Sequence, residues 1–125
     1  MKPENPYAAL QKLFHEPARL AITSALCQAD DGKAFAVLKQ ECNLTDGNLN
    51  RHLKVLEEAG AVVLVKRTEK GSRPQTRAIL TDRGREGFLS YLQVLERVLK
   101  QAAEALERDW SPAGYDFGLG ESLHI

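Results

Sequence analysis

Leu44-Thr45-Asp46-Gly47-Asn48-Leu49-Asn50-Arg51-His52-Leu53-Lys54-Val55-Leu56-Glu57-Glu58-Ala59-Gly60, followed at once by Ala61-Val62-Val63-Leu64-Val65, is the stretch on which the fold turns. Leu49, Leu53 and Leu56 are spaced by four and three residues, the period of one helix face. Thr45 is a good N-cap, and Asp46 places a negative charge in the positive first turn. The spacing therefore predicts a helix from Thr45 to Ala59, stopped by Gly60. The β-branched run after it changes the period and predicts a strand. With the leucines turned inward, Asn48, Arg51, Lys54 and Val55 lie on the outer side, flanked by Thr45, Gly47 and Asn50 at the start.

Upstream, Ala34 to about Glu41 reads as a helix with Phe35 and Leu38 inward, and Asn43-Leu44 makes a tight break. Pro17 opens another helix to about Ala29, with Leu20, Ile22, Ala25 and Leu26 on its apolar face. Residues 6–14 read as a short first helix carrying Tyr7, Leu10 and Phe14. Downstream, Lys70-Gly71-Ser72-Arg73-Pro74 is a turn and Thr76 to Leu80 a return strand, so residues 61–80 form a hairpin. Thr81 then caps a long helix over about 82–108. Its Phe88, Leu92, Leu95, Leu99, Ala102 and Leu106 step alternately by four and three, a heptad seam. Residues 109–125 hold three glycines and a proline and show no periodicity.

This order predicts a mainly α fold with a small β-hairpin (α+β): a winged helix-turn-helix with a long C-terminal dimerisation helix. The expected organisation is one domain over 1–108, with dimerisation helices at its ends, and a tail over 109–125. An unpaired heptad seam is an exposed apolar patch, so a homodimer is expected through Leu92, Leu95, Leu99, Ala102 and Leu106, joined by Tyr7, Leu10 and Phe14.

The chain has 125 residues, and 17 Lys+Arg balance 17 Asp+Glu. The balance is local, however: residues 45–85 hold nine basic against five acidic residues, leaving +4 there and −4 elsewhere. A basic stripe matters more to a polyanion than the total. Asn pairs with adenine and Arg with guanine in a major groove, so Asn48, Asn50 and Arg51 are the expected base readers. Thr45 and Lys54 suit phosphates, and Gly47 allows the backbone to come close to DNA. In the hairpin, Lys66, Arg67, Lys70, Arg73 and Arg77 form a cationic edge, of which Lys70, Arg73 and Arg77 are the expected duplex contacts.

Four segments resemble bacterial winged-helix regulators of the ArsR/MarR type. His15-Glu16-Pro17-Ala18-Arg19-Leu20-Ala21-Ile22 is similar to the start of their first conserved helix. Phe35-Ala36-Val37-Leu38-Lys39 is similar to the helix before the recognition helix. Leu44 to Gly60 resembles the recognition segment, and Leu80-Thr81-Asp82-Arg83-Gly84-Arg85 the link to the last helix. Within that type, the chain is most similar to the regulators of the winged helix DNA-binding domain family. The resemblance covers about residues 10–95. It implies double-stranded DNA binding by Thr45–Val55 and the wing around Arg73, dimerisation through terminal helices, and a role in transcription, expected to be repression. Metal-sensing ArsR members carry paired cysteines in a short motif, whereas Cys27 and Cys42 here are fifteen residues apart.

Catalysis finds no support: there is no Gly-rich phosphate loop, H-E-x-x-H or G-x-S-x-G, and no catalytic residue or cofactor is expected. His15, His52 and His124 are far apart, and His52, beside the leucine stripe, reads as a structural hydrogen-bonding residue. No metal site is expected, because no ligand spacing predicts one. Cys27 and Cys42 are expected as small buried thiols in a cytoplasmic protein without a membrane span or secretory leader. Two alternatives stay open: a winged-helix module that binds protein, and a regulator gated by a thiol or by a small-molecule effector of unknown identity, its pocket lined by Phe14, Tyr91 and Leu95.

Overall fold

The computed structural model describes residues 12–68, 71 and 73–109. Along these the chain forms α1 (Pro17–Leu26), β1 (Lys33–Ala34), α2 (Phe35–Cys42), α3 (Asp46–Glu58), β2 (Val62–Arg67), β3 (Gln75–Leu80) and α4 (Asp82–Asp109). The strands make one antiparallel sheet in the order β1-β3-β2. This is the expected α+β winged helix-turn-helix with a long last helix. The described residues fall into two bodies. The first ends at Ser90, and the second takes up α4 from Tyr91 onward.

Local chemistry accounts for the element ends. Pro17 begins α1, and the Glu16 carboxylate accepts from the N–H groups of Ala18 and Arg19, satisfying donors that a helix start otherwise leaves unpaired. α1 ends at Leu26, three residues short of the expected Ala29. The N–H groups of Gln28 and Ala29 reach carbonyls only three residues back, at 3.2 Å each, so the chain tightens into turns there. Asn43 closes α2 in the left-handed region (φ 54°), and the Leu44 N–H donates back to Lys39 O at 3.0 Å. The Thr45 hydroxyl accepts from Asn48 N–H at 3.2 Å and caps α3, as its place in the sequence predicts.

The first body's core is what the periodicities indicate. Ile22 and Leu26 of α1, Leu38 of α2, and Leu49, Leu53 and Leu56 of α3 are buried against Val62, Ala78 and Leu80 of the sheet. Burying a leucine fully contributes about 1.5–3 kcal/mol, so the α3 stripe alone anchors that helix firmly. β2 and β3 pair from Val62↔Leu80 to Arg67↔Gln75.

Four expectations need correction. β1 has no counterpart among the expected elements; it pairs Lys33↔Ala78 and Ala34↔Arg77 and is only possible because Gly32, at φ +78°, comes so close that a Cβ there would lie 2.3 Å from Ala78 O. The expected helix over 6–14 lies mainly outside the described residues, and its described end, 12–14, is turn. Phe14 is 1% exposed, its ring set edge-on to Phe88 with centroids 5.2 Å apart, so in the first body it serves the core rather than presenting a face to a second subunit. The cysteines are free thiols, but Cys27 is exposed and Cys42 half-buried; α1 has already ended at Cys27, which removes it from the apolar face.

Candidate nucleic-acid interface

α3 separates its residues by chemistry. Its leucines are buried with His52, while Thr45, Asp46, Gly47, Asn48, Asn50, Arg51 and Lys54 are exposed and Val55 is half-buried. Glu57 and Glu58, at the end of the helix, are exposed as well. Arg51 Nη2 lies 3.5 Å from Asn48 Oδ1, so the two groups expected to read bases stand side by side one turn apart. The Thr45 hydroxyl accepts the cap bond and retains its own proton to donate, as a phosphate contact requires. Asp46, which would repel a phosphate, is held by Lys39 at 2.8 Å.

A cleft of about 380 Å³ opens beside this face, lined by Ala34, Phe35, Ala36, Asn50, Gln75 and Thr76. It joins the start of α2, the expected reader Asn50 and the start of β3. Gln75 and Thr76 had no signal in the sequence, because only the β2–β3 register brings them beside α3.

The wing cations divide into two groups. Lys66 and Arg73 are exposed, and Lys70 lies outside the described residues. Arg67 instead grips Asp31 with two hydrogen bonds, at 2.8 and 2.9 Å. Arg77 is half-buried and donates to Gly32 O at 2.9 Å and Asp31 O at 3.4 Å. The hydrogen bonds and charge of Arg67, helped by Arg77, hold the Asp31 carboxyl below its usual range despite slight desolvation. An exposed ion pair adds little stability, so its main effect is to direct the strands: two of the five cations brace the wing against the loop before β1.

The long helix carries the expected seam. Leu92 and Leu99 are each 39% exposed and Leu106 51%, with Ala102 exposed and Leu95 half-buried. At about 1.5 Å per residue the 28 residues of α4 span about 42 Å. Tyr7 and Leu10 lie outside the described residues.

Other chemistries find less. Among the described residues, no three His, Cys, Asp or Glu side chains come together to hold a metal ion. Desolvation pushes both thiols above their usual value, with Arg85 pulling against it at Cys27, Glu41 reinforcing it at Cys42, and Lys33 opposing it there. A raised thiol is a poor nucleophile. No described helix is long and apolar enough to cross a membrane.

Residues 18–99 match the model of a winged helix DNA-binding domain. The chain is 39% identical over 89 residues to an uncharacterized protein of Methanocaldococcus jannaschii, spanning 71% of this chain and 95% of that one. The fold is similar to a transcriptional regulator homologue of Pyrococcus horikoshii OT3, with a TM-score of 0.71 and 29% identity over 78% of this chain and 96% of that one. It is also similar to the YusO protein of Bacillus subtilis, with a TM-score of 0.67 and 16% identity over 96% and 77% of the two chains. With that model covering most of its length, the chain belongs to the winged helix DNA-binding domain family, and is a DNA-binding regulator rather than an enzyme.

Proposed function

We propose that the protein is a homodimeric transcriptional regulator that lays α3 in the major groove of double-stranded DNA and its wing on the adjacent backbone. The observation that carries this is the division of α3: its leucine stripe is buried, and a polar face with Asn48, Asn50, Arg51 and Lys54 is left outward. Asn48, Asn50 and Arg51 read base edges, Thr45, Lys54 and the Gly47 backbone meet phosphates, and Lys70 and Arg73 extend the contact. Arg77 acts through the position it gives the wing.

The exposed Leu92–Leu99–Leu106 seam supports pairing of two copies through α4. Residues 1–108 then act as one DNA-binding and dimerising domain, with 109–125 appended. A twofold pair reads two half-sites about 10 base pairs apart, or a multiple of this. Repression is the simplest output, since occupancy of a promoter blocks it without any further contact.

The test is selection of bound sites from genomic fragments, followed by affinity measurements on the selected site and on random duplex. Arg51→Ala should cost about 1–3 kcal/mol on the selected site and much less on random duplex. Equal loss on both would remove Arg51 as a base reader, and failure to enrich any sequence would remove the reading itself.

A further inference from the structure

The recognition helix buries one polar side chain along with its leucines. His52 is 4% exposed, and a buried imidazole needs partners at its nitrogens. Nη1 of Arg19 stands 3.1 Å from Nδ1. A guanidinium only donates, so Nδ1 must be the bare, accepting nitrogen. Nε2 then carries the ring proton and offers it to Oε2 of Glu16, 3.3 Å away. The other Glu16 oxygen caps α1. Arg19 is itself fixed, donating through Nε to Leu13 O at 2.7 Å and through Nη2 to Lys12 O at 3.2 Å.

The neighbouring residue completes the arrangement. Arg51 Nη2 lies 3.4 Å from His52 Nε2 and 3.5 Å from Asn48 Oδ1. A protonated Nε2 cannot accept from Arg51, so these are two donors side by side. A neutral ring tolerates that; an imidazolium adds a like charge to it.

We propose that Glu16, Arg19 and His52 form a proton-operated clamp that ties α3 to the start of α1 and sets the direction of Arg51, a neutral His52 holding the helix ready for DNA. The inference rests on the DNA-binding reading of α3. A second proton enters at Nδ1, where the Arg19 donor already points, so either the ring or Arg19 must withdraw. His52 acts as a positioning residue here; Arg51 touches the duplex.

The charges facing His52 set the direction of its transition. Burial lowers its affinity for a proton, Glu16 opposes this, and Arg51 and Arg19 lower it further, leaving it below the ordinary 6.5. Glu16 and Arg19 face it from the start of α1 and Arg51 from its own helix; α2 and β2 supply no charge that moves its titration.

The full chain is titrated from about pH 8 to about pH 5, spanning the range of histidine, by nitrogen-detected NMR of the free protein. In parallel, affinity is measured at fixed salt for a mixed-sequence duplex of about 30 base pairs, enough for two half-sites. Expected are an Nε2–H tautomer at high pH, a midpoint below 6.5 and an Arg51 Nε signal that moves with it. Duplex affinity should fall at least about fivefold on acidification, the lower end of usual coupling between two sites. His52→Gln can accept from Arg19 and donate to Glu16 but cannot titrate, so its affinity should be flat over the window, whatever its absolute value. Glu16→Gln should move the midpoint lower still.

An Nδ1–H tautomer, a midpoint at or above 6.5, an Arg51 signal indifferent to the titration, or a His52→Gln variant that keeps the wild-type pH slope would each overturn the clamp. Affinity that rises on acidification in wild type and variant alike would mark general charge attraction and overturn it too. If the duplex is not bound at any pH, the DNA-binding reading fails, and the tautomer and the Arg51 response in the free protein still decide the clamp.

Discussion

Two glycines stand in the first turns of helices, and the structure assigns them opposite fates on replacement by alanine. Gly84 is the third residue of α4, where alanine for glycine ordinarily strengthens a helix by about 1 kcal/mol. Yet a Cβ on its backbone would lie 2.2 Å from Ala61 O and 2.9 Å from Leu80 Cδ1. A carbon and a carbonyl oxygen rest at about 3.3 Å or more, so the turn must retreat by about 1 Å. The same Ala61 carbonyl accepts the Thr81 N–H at 3.0 Å, and the Thr81 hydroxyl, which donates to Gly60 O at 2.6 Å, accepts from the Gly84 N–H at 2.9 Å. Retreat loses about 1 kcal/mol of hydrogen bonding and about 1 kcal/mol of cap, and overpacking costs a further 1–3 or so. Against the helix gain, Gly84→Ala should destabilise by about 2–4 kcal/mol, lowering the urea midpoint by about 1–2 M. Gly47, in the first turn of α3, has nothing within 4 Å of its would-be Cβ, so Gly47→Ala should raise the midpoint slightly, by up to about 1 kcal/mol of stability, while weakening duplex binding. Urea unfolding followed by far-UV circular dichroism reads both. A Gly84→Ala midpoint equal to or above wild type would refute the packing argument, since intrinsic propensity would then have prevailed over the clash.

Arg73→Ala should weaken binding on all sequences alike and flatten the dependence of log affinity on log salt by about 0.9, the share of a single neutralised phosphate; an unchanged slope would take Arg73 off the backbone. Leu99→Lys places a charge in the exposed α4 seam and should shift sedimentation to the monomer without unfolding the helix, whereas an unaltered sedimentation coefficient would place the dimer contact elsewhere. Melting temperature should decline as pH falls below 6.5: the depressed His52 leaves the unfolded chain holding more protons than the folded one in that window. A second decline should follow below about pH 4.5, because the backbone N–H groups and nearby charges at Glu16 outweigh its desolvation and depress its carboxyl. Stability that increases on acidification through 6.5 would reverse the sign assigned to His52.

The sequence is legible where one periodicity dominates. Leu49, Leu53 and Leu56 announce both the buried and the exposed face of α3, and Thr45 and Thr81 mark their helix starts within a residue. It is opaque where a residue's role comes from partners distant along the chain. Nothing in Asp30-Asp31-Gly32 beyond a helix stop indicates that Gly32 admits a third strand, or that Asp31 draws in Arg67 from 36 residues away. A charged hairpin read by composition offers five equivalent cations, while pairing assigns two of them to bracing. Phe14 misleads for a related reason: an aromatic at helical spacing looks alike whether it meets its own core or another subunit, and only the edge-on contact with Phe88 decides.

The same distinction bears on how a helix this short can be held for reading. α3 has 13 residues, near the length at which isolated helices are marginal in water, so its position comes from packing. Leucine packing is non-directional: it fixes the depth of the helix and forbids any rotation large enough to expose the stripe, but resists small rotations about the helix axis less. Asn48 and Arg51 stand at the rim of the helix, farthest from its axis, so even a small rotation shifts them against a groove. Resistance to rotation requires directional contacts on the flank between buried and exposed faces. His52, buried next to the exposed Arg51 and hydrogen-bonded to Arg19 and Glu16, is such a contact. On this argument His52→Phe, which keeps the burial and removes the hydrogen bonds, should retain most of the helical signal yet lose discrimination between selected and random duplex. Discrimination kept by that variant would mean that the leucines alone orient the helix.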